Sequence, residues 1–379
     1  MDHKKRWIWE QKNYPHFTYD FKVIEALIHK VSQEQGYLIA FTKMMSNENL
    51  KQRQFEALTK ETLSTSAIEG EMLNRDSVKA SIKRKLGLII ADDKKRDETT
   101  DNLVAILIDA NTNYDDDLTL ERIFGWHNAM FPTGYSGFDK INVAAFRDDD
   151  SMEVVAGPIG NEKTYYVAPP RNVIEKEMHQ YLHWFNHEEA SLIKAAIAHL
   201  WFVVIHPLDD GNGRMTRVIT DLVLSKIENS NISRLYSMSS AINKDRDGYY
   251  AALEATTGYK ENNNPLDITL WCQWFLTTLH TALLDTKQSL NYILQKTNFW
   301  DRHKNSDLNA RQTKVLNKIL DMGIENFEGG LNKRKYVAIS KTTSATASRD
   351  ITDLIQKGCI RQKEGSTGRG TSYSVIIDT

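Results

Sequence analysis

The sequence predicts a mainly α-helical protein that ends in a small α+β domain. Apolar residues recur with the 3.6-residue period of amphipathic helices along most of the 379-residue chain, and only seven prolines interrupt it. Runs of β-leaning residues around turn-rich segments predict hairpins at 152–167 and 360–376. We find no internal repeat and no low-complexity tract. A chain of this length has room for two or three domains.

Residues 1–95 are predicted to be an N-terminal helical domain, in which an aromatic lead-in precedes helices with one apolar face. A helix of this domain is expected to end at Thr65-Ser66-Ala67-Ile68-Glu69-Gly70, because glycine often takes the left-handed position after a helix. A carboxylate in the last turn meets the negative end of the helix dipole, so Glu69 is expected to have a cationic partner. The charged stretch 91–102 is predicted to be a solvated loop.

Residues 96–300 are predicted to form the core, and their most informative stretch is His206-Pro207-Leu208-Asp209-Asp210-Gly211-Asn212-Gly213-Arg214-Met215-Thr216-Arg217. Gly211 and Gly213 allow a turn whose successive N–H groups point into one concavity. The apolar-periodic run that follows predicts a helix that begins near Arg214. The concavity then lies at a helix N-terminus, where the N–H groups and the helix dipole favour phosphate.

Four side chains of this stretch suit the transfer of a group from a polyphosphate. Arg214 and Arg217 lie three residues apart on the predicted helix, so both guanidinium groups reach one side. Asp210 is a hard oxygen ligand suited to a Mg²⁺ ion that bridges phosphates. His206, with an ordinary pKa of about 6.5, can take a proton from a hydroxyl at neutral pH. His127, by contrast, is predicted to be a hydrogen-bonded core histidine.

The 206–217 stretch resembles the Fic-family motif HPFx(D/E)GNGRxxR, with Leu208 where the family usually has Phe. The resemblance implies a helical Fic fold and the transfer of AMP from ATP, with Mg²⁺ on Asp210, to a Ser, Thr or Tyr hydroxyl of a target protein. His206 would be the catalytic base. The implied nucleotide-binding residues are Gly211, Asn212, Gly213, Arg214, Arg217, Tyr249 and Tyr250. Among these, Asn212 would orient the α-phosphate, and Tyr249 and Tyr250 either line the nucleotide pocket or are two core aromatics.

Two further segments resemble Fic elements. Thr65, Glu69 and Gly70 fill the fixed positions of the inhibitory pattern (S/T)xxxE(G/N). The resemblance implies that Glu69 pairs with Arg217 and blocks the site of the ATP γ-phosphate. Residues 152–167 resemble the Fic flap, a β-hairpin that holds the target protein's modified segment by strand addition.

Residues 301–379 are predicted to be a winged-helix-like domain, because three helices, the third at Ser344–Lys357, precede a hairpin. This segment carries 14 Lys and Arg against 9 Asp and Glu, whereas residues 1–300 carry 34 against 41. In a DNA-binding interpretation, Thr346 and Arg349 would reach the major groove and Arg369 would contact phosphate. The alternative is dimerisation or partner docking, which leaves a homodimer open.

Composition predicts a cytoplasmic enzyme with no membrane partner. The two cysteines, Cys272 and Cys359, are too few for a disulfide framework or a zinc site. The N-terminus lacks the apolar region of a signal peptide, and the longest apolar run, Ala195–Ile205, is too short to cross a membrane. Two alternatives to AMP transfer stay open: a DNA-binding regulator whose core senses a nucleotide, and an enzyme that removes AMP with Glu69 positioning the attacking water.

Overall fold

The computed structural model describes residues 7–88, 97–148, 152–156, 163–229, 235–258 and 264–377. Within them the chain is mainly helical and its strands are short, so the predicted fold class is confirmed. The chain divides into two compact units, Met1–Asp285 and Thr286–Thr379. The division falls inside one long helix, Thr269–Arg302, and earlier in the chain than the predicted boundary at 300/301. None of the described helices combines the length and apolar character needed to cross a bilayer.

Helices form the body of the first unit. Their bounds are α1 (Phe21–Met44), α2 (Asn47–Ile68), α3 (Arg75–Lys85), α4 (Glu98–Thr112), α5 (Leu120–Met130), α6 (Ile174–His187), α7 (Leu192–Ile205), α8 (Asn212–Glu228), α9 (Met238–Lys244), α10 (Arg246–Thr257) and α11 (Thr269–Arg302). Helices α7 and α8 pack against each other, and most of their side chains are buried. The loop between them, 206–211, contains the predicted motif.

Helix α7 is apolar nearly all round, which is typical of a helix buried on every side. Its N-cap is Ser191, whose side chain accepts a hydrogen bond from the Lys194 N–H. It ends because His206 takes a left-handed conformation with φ 50°. The next helix follows Gly211, which has φ 83°, a region that glycine enters without steric cost. The chain thus turns sharply between two buried helices.

Helix α2 ends as the sequence predicts, at a left-handed glycine. Gly70 has φ 82°, its N–H donates to the Ala67 carbonyl, and the Glu71 N–H donates to the Ser66 carbonyl. This pair of bonds is the Schellman motif, and it fixes the backbone from Glu69 to Glu71. Since α2 packs against α8, the end of α2 lies beside the motif.

In the described part of the first unit, four short strands make two antiparallel pairs: β1 (Tyr135–Ser136) with β2 (Asp139–Lys140), and β3 (Glu153–Ala156) with β4 (Lys163–Val167). The second pair is the predicted hairpin, and the loop 157–162 at its tip lies outside the described residues. The Trp9 indole N–H donates to the Val167 carbonyl at 2.9 Å, and the Tyr166 hydroxyl donates to the Val204 carbonyl at 2.9 Å. The base of the hairpin is therefore joined to the helix that carries His206.

The second unit follows the predicted element order of three helices and a hairpin. The elements are α12 (Ala310–Met322), α13 (Lys333–Ser340), α14 (Ser344–Gln356), β5 (Ile360–Gln362) and β6 (Tyr373–Val375), with Arg361 opposite Ser374 in an antiparallel pair. Its core packs side chains from all five elements, including Leu316, Tyr336, Leu354, Ile360 and Val375. Arg349 is exposed on α14, whereas the Thr346 hydroxyl contacts the Thr343 hydroxyl at the helix N-cap. The side chain of Arg369 lies outside the described part.

Candidate active site

His206 is held by its backbone at the end of α7, with a half-buried side chain. The Arg147 Nε–H donates to the His206 carbonyl at 2.8 Å. The imidazole Nδ1 lies 3.2 Å from the Val203 carbonyl oxygen. Because a carbonyl only accepts, Nδ1 must carry the hydrogen, and the neutral ring then has its lone pair on Nε2.

The surroundings of His206 keep this ring neutral. Burial lowers the pKa of His206 to about 4, and the positive charge of Arg147 acts in the same direction, against the Val203 carbonyl and the carboxylates of Glu69 and Asp210. At pH 7 the imidazole is therefore unprotonated and can accept a proton at Nε2.

The Asn212 side chain holds the turn that follows His206. Its Nδ2 donates to the Leu208 carbonyl at 2.7 Å, and its Oδ1 accepts from the Leu208 N–H at 3.0 Å. Asn212 is buried, so these bonds satisfy backbone groups that water does not reach. The sequence did not predict this role. The contact of Asn212 with an α-phosphate stays a prediction.

Asp210 is positioned by the residues behind it. The fully buried His127 donates from Nε2 to the Asp210 carbonyl at 3.1 Å and accepts at Nδ1 from the Ala144 N–H at 3.2 Å, so it is the core histidine that the sequence predicts. The Asp210 carboxylate accepts a short hydrogen bond from the Ser136 hydroxyl. Its side chain is 41% exposed, which leaves carboxylate surface open to a ligand.

The single carboxylate of Asp210 suits a Mg²⁺ ion that has few protein ligands. It does not suit a metal ion that is coordinated by protein side chains alone. No group of three or more His, Cys, Asp or Glu side chains in the described residues could hold a metal ion. Mg²⁺ commonly uses one or two carboxylates and completes its octahedron with water and substrate phosphates. A single partly exposed aspartate next to a helix N-terminus is compatible with such an arrangement.

The N-terminus of α8 is an anion site, and the Glu69 carboxylate occupies it. A Cβ atom added to Gly213 would lie 2.2 Å from Glu69 Oε1, so the absent side chain of Gly213 makes the space that the carboxylate fills. Glu69 is the C-cap of α2 and reaches across to the first turn of α8. A carboxylate at this position gains from the positive end of the helix dipole.

Arg217 is the cationic partner of Glu69 that the sequence predicts. One terminal nitrogen of its guanidinium donates to Glu69 Oε1 at 2.7 Å and to the Thr65 carbonyl at 2.9 Å. Its Nε donates to the Thr65 hydroxyl oxygen at 2.7 Å. The structure thus brings Thr65, Glu69, Gly70 and Arg217 together, with the Arg217 side chain only 3% exposed.

Arg214 has a carboxylate partner that the sequence analysis missed. Its guanidinium donates to Glu71 Oε2 at 2.9 Å, and its Cζ lies 4.8 Å from the centre of the Phe131 ring. Asp210 Oδ2 is farther away, at 4.0 Å. Both arginines of the motif therefore contact carboxylates from the segment that ends α2.

The two tyrosines on α10 differ in their surroundings. Tyr249 is buried, its ring packs against Trp271 and Trp274, and its hydroxyl lies 3.5 Å from His199 Nε2. These aromatic neighbours favour the second alternative for Tyr249, a core aromatic, and its contact with a nucleotide stays a prediction. Tyr250 is half-buried, and burial, followed by the negative charge of Glu69, raises its pKa. Tyr250 remains the candidate for a contact with the base of the nucleotide.

Arg147 is the other residue that the sequence did not single out. It is fully buried; its N–H donates to the Pro207 carbonyl at 2.9 Å, and its guanidinium donates to the carbonyls of His206 and Pro169. Pro169 follows strand β4, so Arg147 joins the base of the hairpin to the start of the motif. The sequence shows one arginine between a phenylalanine and an aspartate, which gives no signal of this role.

These features place an acidic side chain, Glu69, at the start of α8 and a neutral imidazole that can accept a proton beside it. Residues 117–224 match the model of the Fic/DOC family, and residues 7–88 match a domain of unknown function (DUF4172). The chain therefore carries a Fic/DOC family domain, which contains the whole 206–217 stretch.

Known proteins resemble the chain in sequence or in fold. The uridine 5'-monophosphate transferase of Xanthomonas campestris pv. campestris (strain 8004) is 29% identical over 118 residues, which cover 29% of this chain and 21% of that protein. The match thus spans about a fifth of that relative's length. The crystal structure of a Fic family protein from Desulfovibrio desulfuricans G20 has a TM-score of 0.54 at 16% identity and covers 95% of this chain and 97% of that one. The fold of that protein is therefore similar to that of this chain over nearly its whole length.

Proposed function

We propose that this chain is a nucleotidyltransferase that moves AMP from ATP to a Ser, Thr or Tyr hydroxyl of a target protein, and that Glu69 inhibits it. One arrangement carries the proposal. A neutral His206, with its lone pair on Nε2, lies beside a helix start that already binds an anion. The transfer needs both features, because His206 would take the proton of the hydroxyl while the start of α8 holds the polyphosphate next to it.

Binding of ATP requires that the Glu69 carboxylate leave the start of α8. The β- and γ-phosphates then bind Arg214 and Arg217, and the first-turn N–H groups face the phosphate chain. Asp210 would hold the Mg²⁺ ion, which when bound neutralises phosphate charge. Because Thr65 still binds Arg217 from behind, the guanidinium stays in place for the incoming phosphate.

In the chemical step, a proton moves to His206 and the AMP group moves to the target hydroxyl. His206 Nε2 accepts the proton of the target hydroxyl, and the hydroxyl oxygen attacks the α-phosphorus. The bond from the α-phosphorus to the bridging oxygen breaks, and pyrophosphate leaves. A positioned general base contributes about 10²–10⁴-fold to such a rate, and the donors at the start of α8 stabilise the charge that develops on the phosphate.

The target protein would dock at the β3–β4 hairpin, residues 152–167. An extended segment can add to the open edge of a two-stranded sheet through main-chain hydrogen bonds. Through Arg147, the same hairpin is joined to the His206 carbonyl, so the docked hydroxyl and the base share one support.

The nucleotide base is the least constrained part of the donor, because the phosphate contacts described above do not distinguish ATP from UTP. The name of the Xanthomonas relative makes UMP the second candidate for the transferred group. For Glu69, its bond to Arg217 favours inhibition over the positioning of water in AMP removal, because Oε1 is already engaged by a cation.

The test follows label from α-³²P-ATP and α-³²P-UTP into proteins of a bacterial lysate. It compares the wild type with Glu69→Ala and His206→Ala, and Glu56→Ala is the matched control on α2. We expect ATP label that strengthens with Glu69→Ala and disappears with His206→Ala. Stronger labelling from UTP would overturn the choice of AMP, and absence of label from both donors in every variant would overturn nucleotidyl transfer.

A second candidate function, nucleic-acid binding, is favoured by a groove in the second unit. The groove has a volume of about 1020 Å³ and is lined by Lys333 and Arg334 at the start of α13, by Ser344 and Ser348 on α14, and by Thr371. Cations and hydroxyls are the usual contacts of a phosphate backbone. A salt-sensitive gel shift with duplex DNA that Lys333→Ala/Arg334→Ala abolishes would support this function, and no shift at low salt would refute it.

A further inference from the structure

We propose that Glu71 is a second inhibitory carboxylate, which occupies Arg214 and excludes the β-phosphate, as Glu69 occupies Arg217 and excludes the γ-phosphate. This inference rests on the proposed function, because it assumes that a nucleotide binds at α8. In this proposal, Glu71 determines which nucleotides bind to the protein in its inhibited state.

The contact between Glu71 and Arg214 has the geometry of a charge-assisted hydrogen bond. Glu71 Oε2 lies 2.9 Å from the Arg214 guanidinium, whose side chain is only 8% exposed. The Phe131 ring lies 4.8 Å from Arg214 Cζ and limits where the guanidinium can move. Glu71 itself is 42% exposed, so it can leave Arg214 without the cost of uncovering a buried carboxylate.

Glu69 and Glu71 belong to one short, well-fixed segment. The hydrogen bond from the Glu71 N–H to the Ser66 carbonyl, together with left-handed Gly70, sets the spacing between the two carboxylates. Their partners, Arg214 and Arg217, lie one helical turn apart on the same side of α8. The segment therefore covers both cations of the motif at once, and its displacement frees both.

Because each arginine would bind a different phosphate, the effects of the two carboxylates on nucleotide affinity can be told apart. A carboxylate on the γ-phosphate site competes with ATP but not with ADP. A carboxylate on the β-phosphate site competes with ADP and ATP alike, and neither competes with AMP. Removal of each glutamate should therefore change a different set of affinities.

The experiment measures dissociation constants of AMP, ADP and ATP in the presence of Mg²⁺ by titration calorimetry. It uses the full chain as wild type, Glu71→Ala, Glu69→Ala and Glu56→Ala. Glu56 is the matched control, because it lies on α2, is 41% exposed and pairs with an arginine at 2.7 Å, as Glu71 does at 2.9 Å. We expect Glu71→Ala to tighten ADP and ATP by about three- to tenfold and AMP not at all. Glu69→Ala should tighten ATP alone, and Glu56→Ala nothing.

Three results would overturn the inference. In the first, Glu71→Ala leaves the affinities for ADP and ATP unchanged or weaker while Glu69→Ala tightens the binding of ATP. Glu71 is then not inhibitory, but the proposed function stands. Equal tightening of all three nucleotides would overturn the assignment to the β-phosphate. If no nucleotide binds to any variant, the proposed function fails and the role of Glu71 fails with it.

Discussion

Glu69→Ala should destabilise the protein without nucleotide and increase the stabilisation that ATP provides. Glu69 does two things at once in the structure, since its carboxylate neutralises the buried Arg217 and fills the anion site at Gly213. Its removal leaves Arg217 with hydrogen bonds to Thr65 but without its charge partner. ATP can then supply the missing negative charge without first displacing a carboxylate.

The size of both effects follows from the exposure of the pair. Arg217 is 3% and Glu69 33% exposed, so solvent screens part of the interaction. A charge-assisted bond discounted for this screening contributes about 1–2 kcal/mol. That corresponds to a melting temperature lower by about 2–8 °C in a unit of this size. Because ATP no longer has to break this interaction, the same free energy corresponds to a gain of about 5- to 30-fold in ATP affinity.

Differential scanning calorimetry with and without Mg²⁺ and ATP measures both quantities in one series. At a fixed ATP concentration the ligand contributes RT ln(1 + [L]/Kd), so a tighter variant shows the larger upward shift. Glu56→Ala controls for the loss of an ion-paired glutamate on the same helix. An unchanged melting temperature without nucleotide, or equal ATP shifts in wild type and Glu69→Ala, would refute the reasoning.

Three more predictions follow from the site. Because His206 has its pKa lowered to about 4, it loses its role as base only as the pH falls toward that value, so single-turnover transfer should be nearly constant from pH 6 to 8; a half-maximal rate near pH 6.5 would contradict this. Arg147→Lys, which cannot hold the His206 and Pro169 carbonyls together, should lower the transfer rate about tenfold and leave ATP binding intact, as rapid-quench and calorimetric data would show; a wild-type rate would exclude the positioning role. Asn212→Ala leaves two buried groups of Leu208 without partners and should cost about 2–4 kcal/mol in urea unfolding, so a loss below about 0.5 kcal/mol would count against it.

Local patterns in the sequence predicted much of the fold. The end of α2 was readable from Gly70, which takes the left-handed region, and the helix predicted to begin near Arg214 begins at Asn212. The third helix of the C-terminal segment, predicted at Ser344–Lys357, ends at Gln356 just before left-handed Gly358. The division between the units was not readable, because it falls inside the continuous helix Thr269–Arg302, where no turn residue marks it.

The site was predictable only where its residues share a motif. Glu69 and Arg217 were paired through family resemblance, whereas Glu71 and Arg147 act through contacts with residues distant in sequence. No local periodicity reveals such contacts, since they depend on how segments distant in the sequence pack against each other. The two alternatives for Tyr249 could not be separated from the sequence for the same reason, because its burial by Trp271 and Trp274 is a property of the packed core.

Nucleotidyl transfer with His206 as the base can be tested by comparing two labels on one donor. Glu69→Ala would be incubated with Mg²⁺, lysate proteins and either α-³²P-ATP or γ-³²P-ATP, beside Glu69→Ala/His206→Ala. We expect protein label from the α-position alone, and none from the double variant. Label from the γ-position, or α-label that survives the loss of His206, would contradict it.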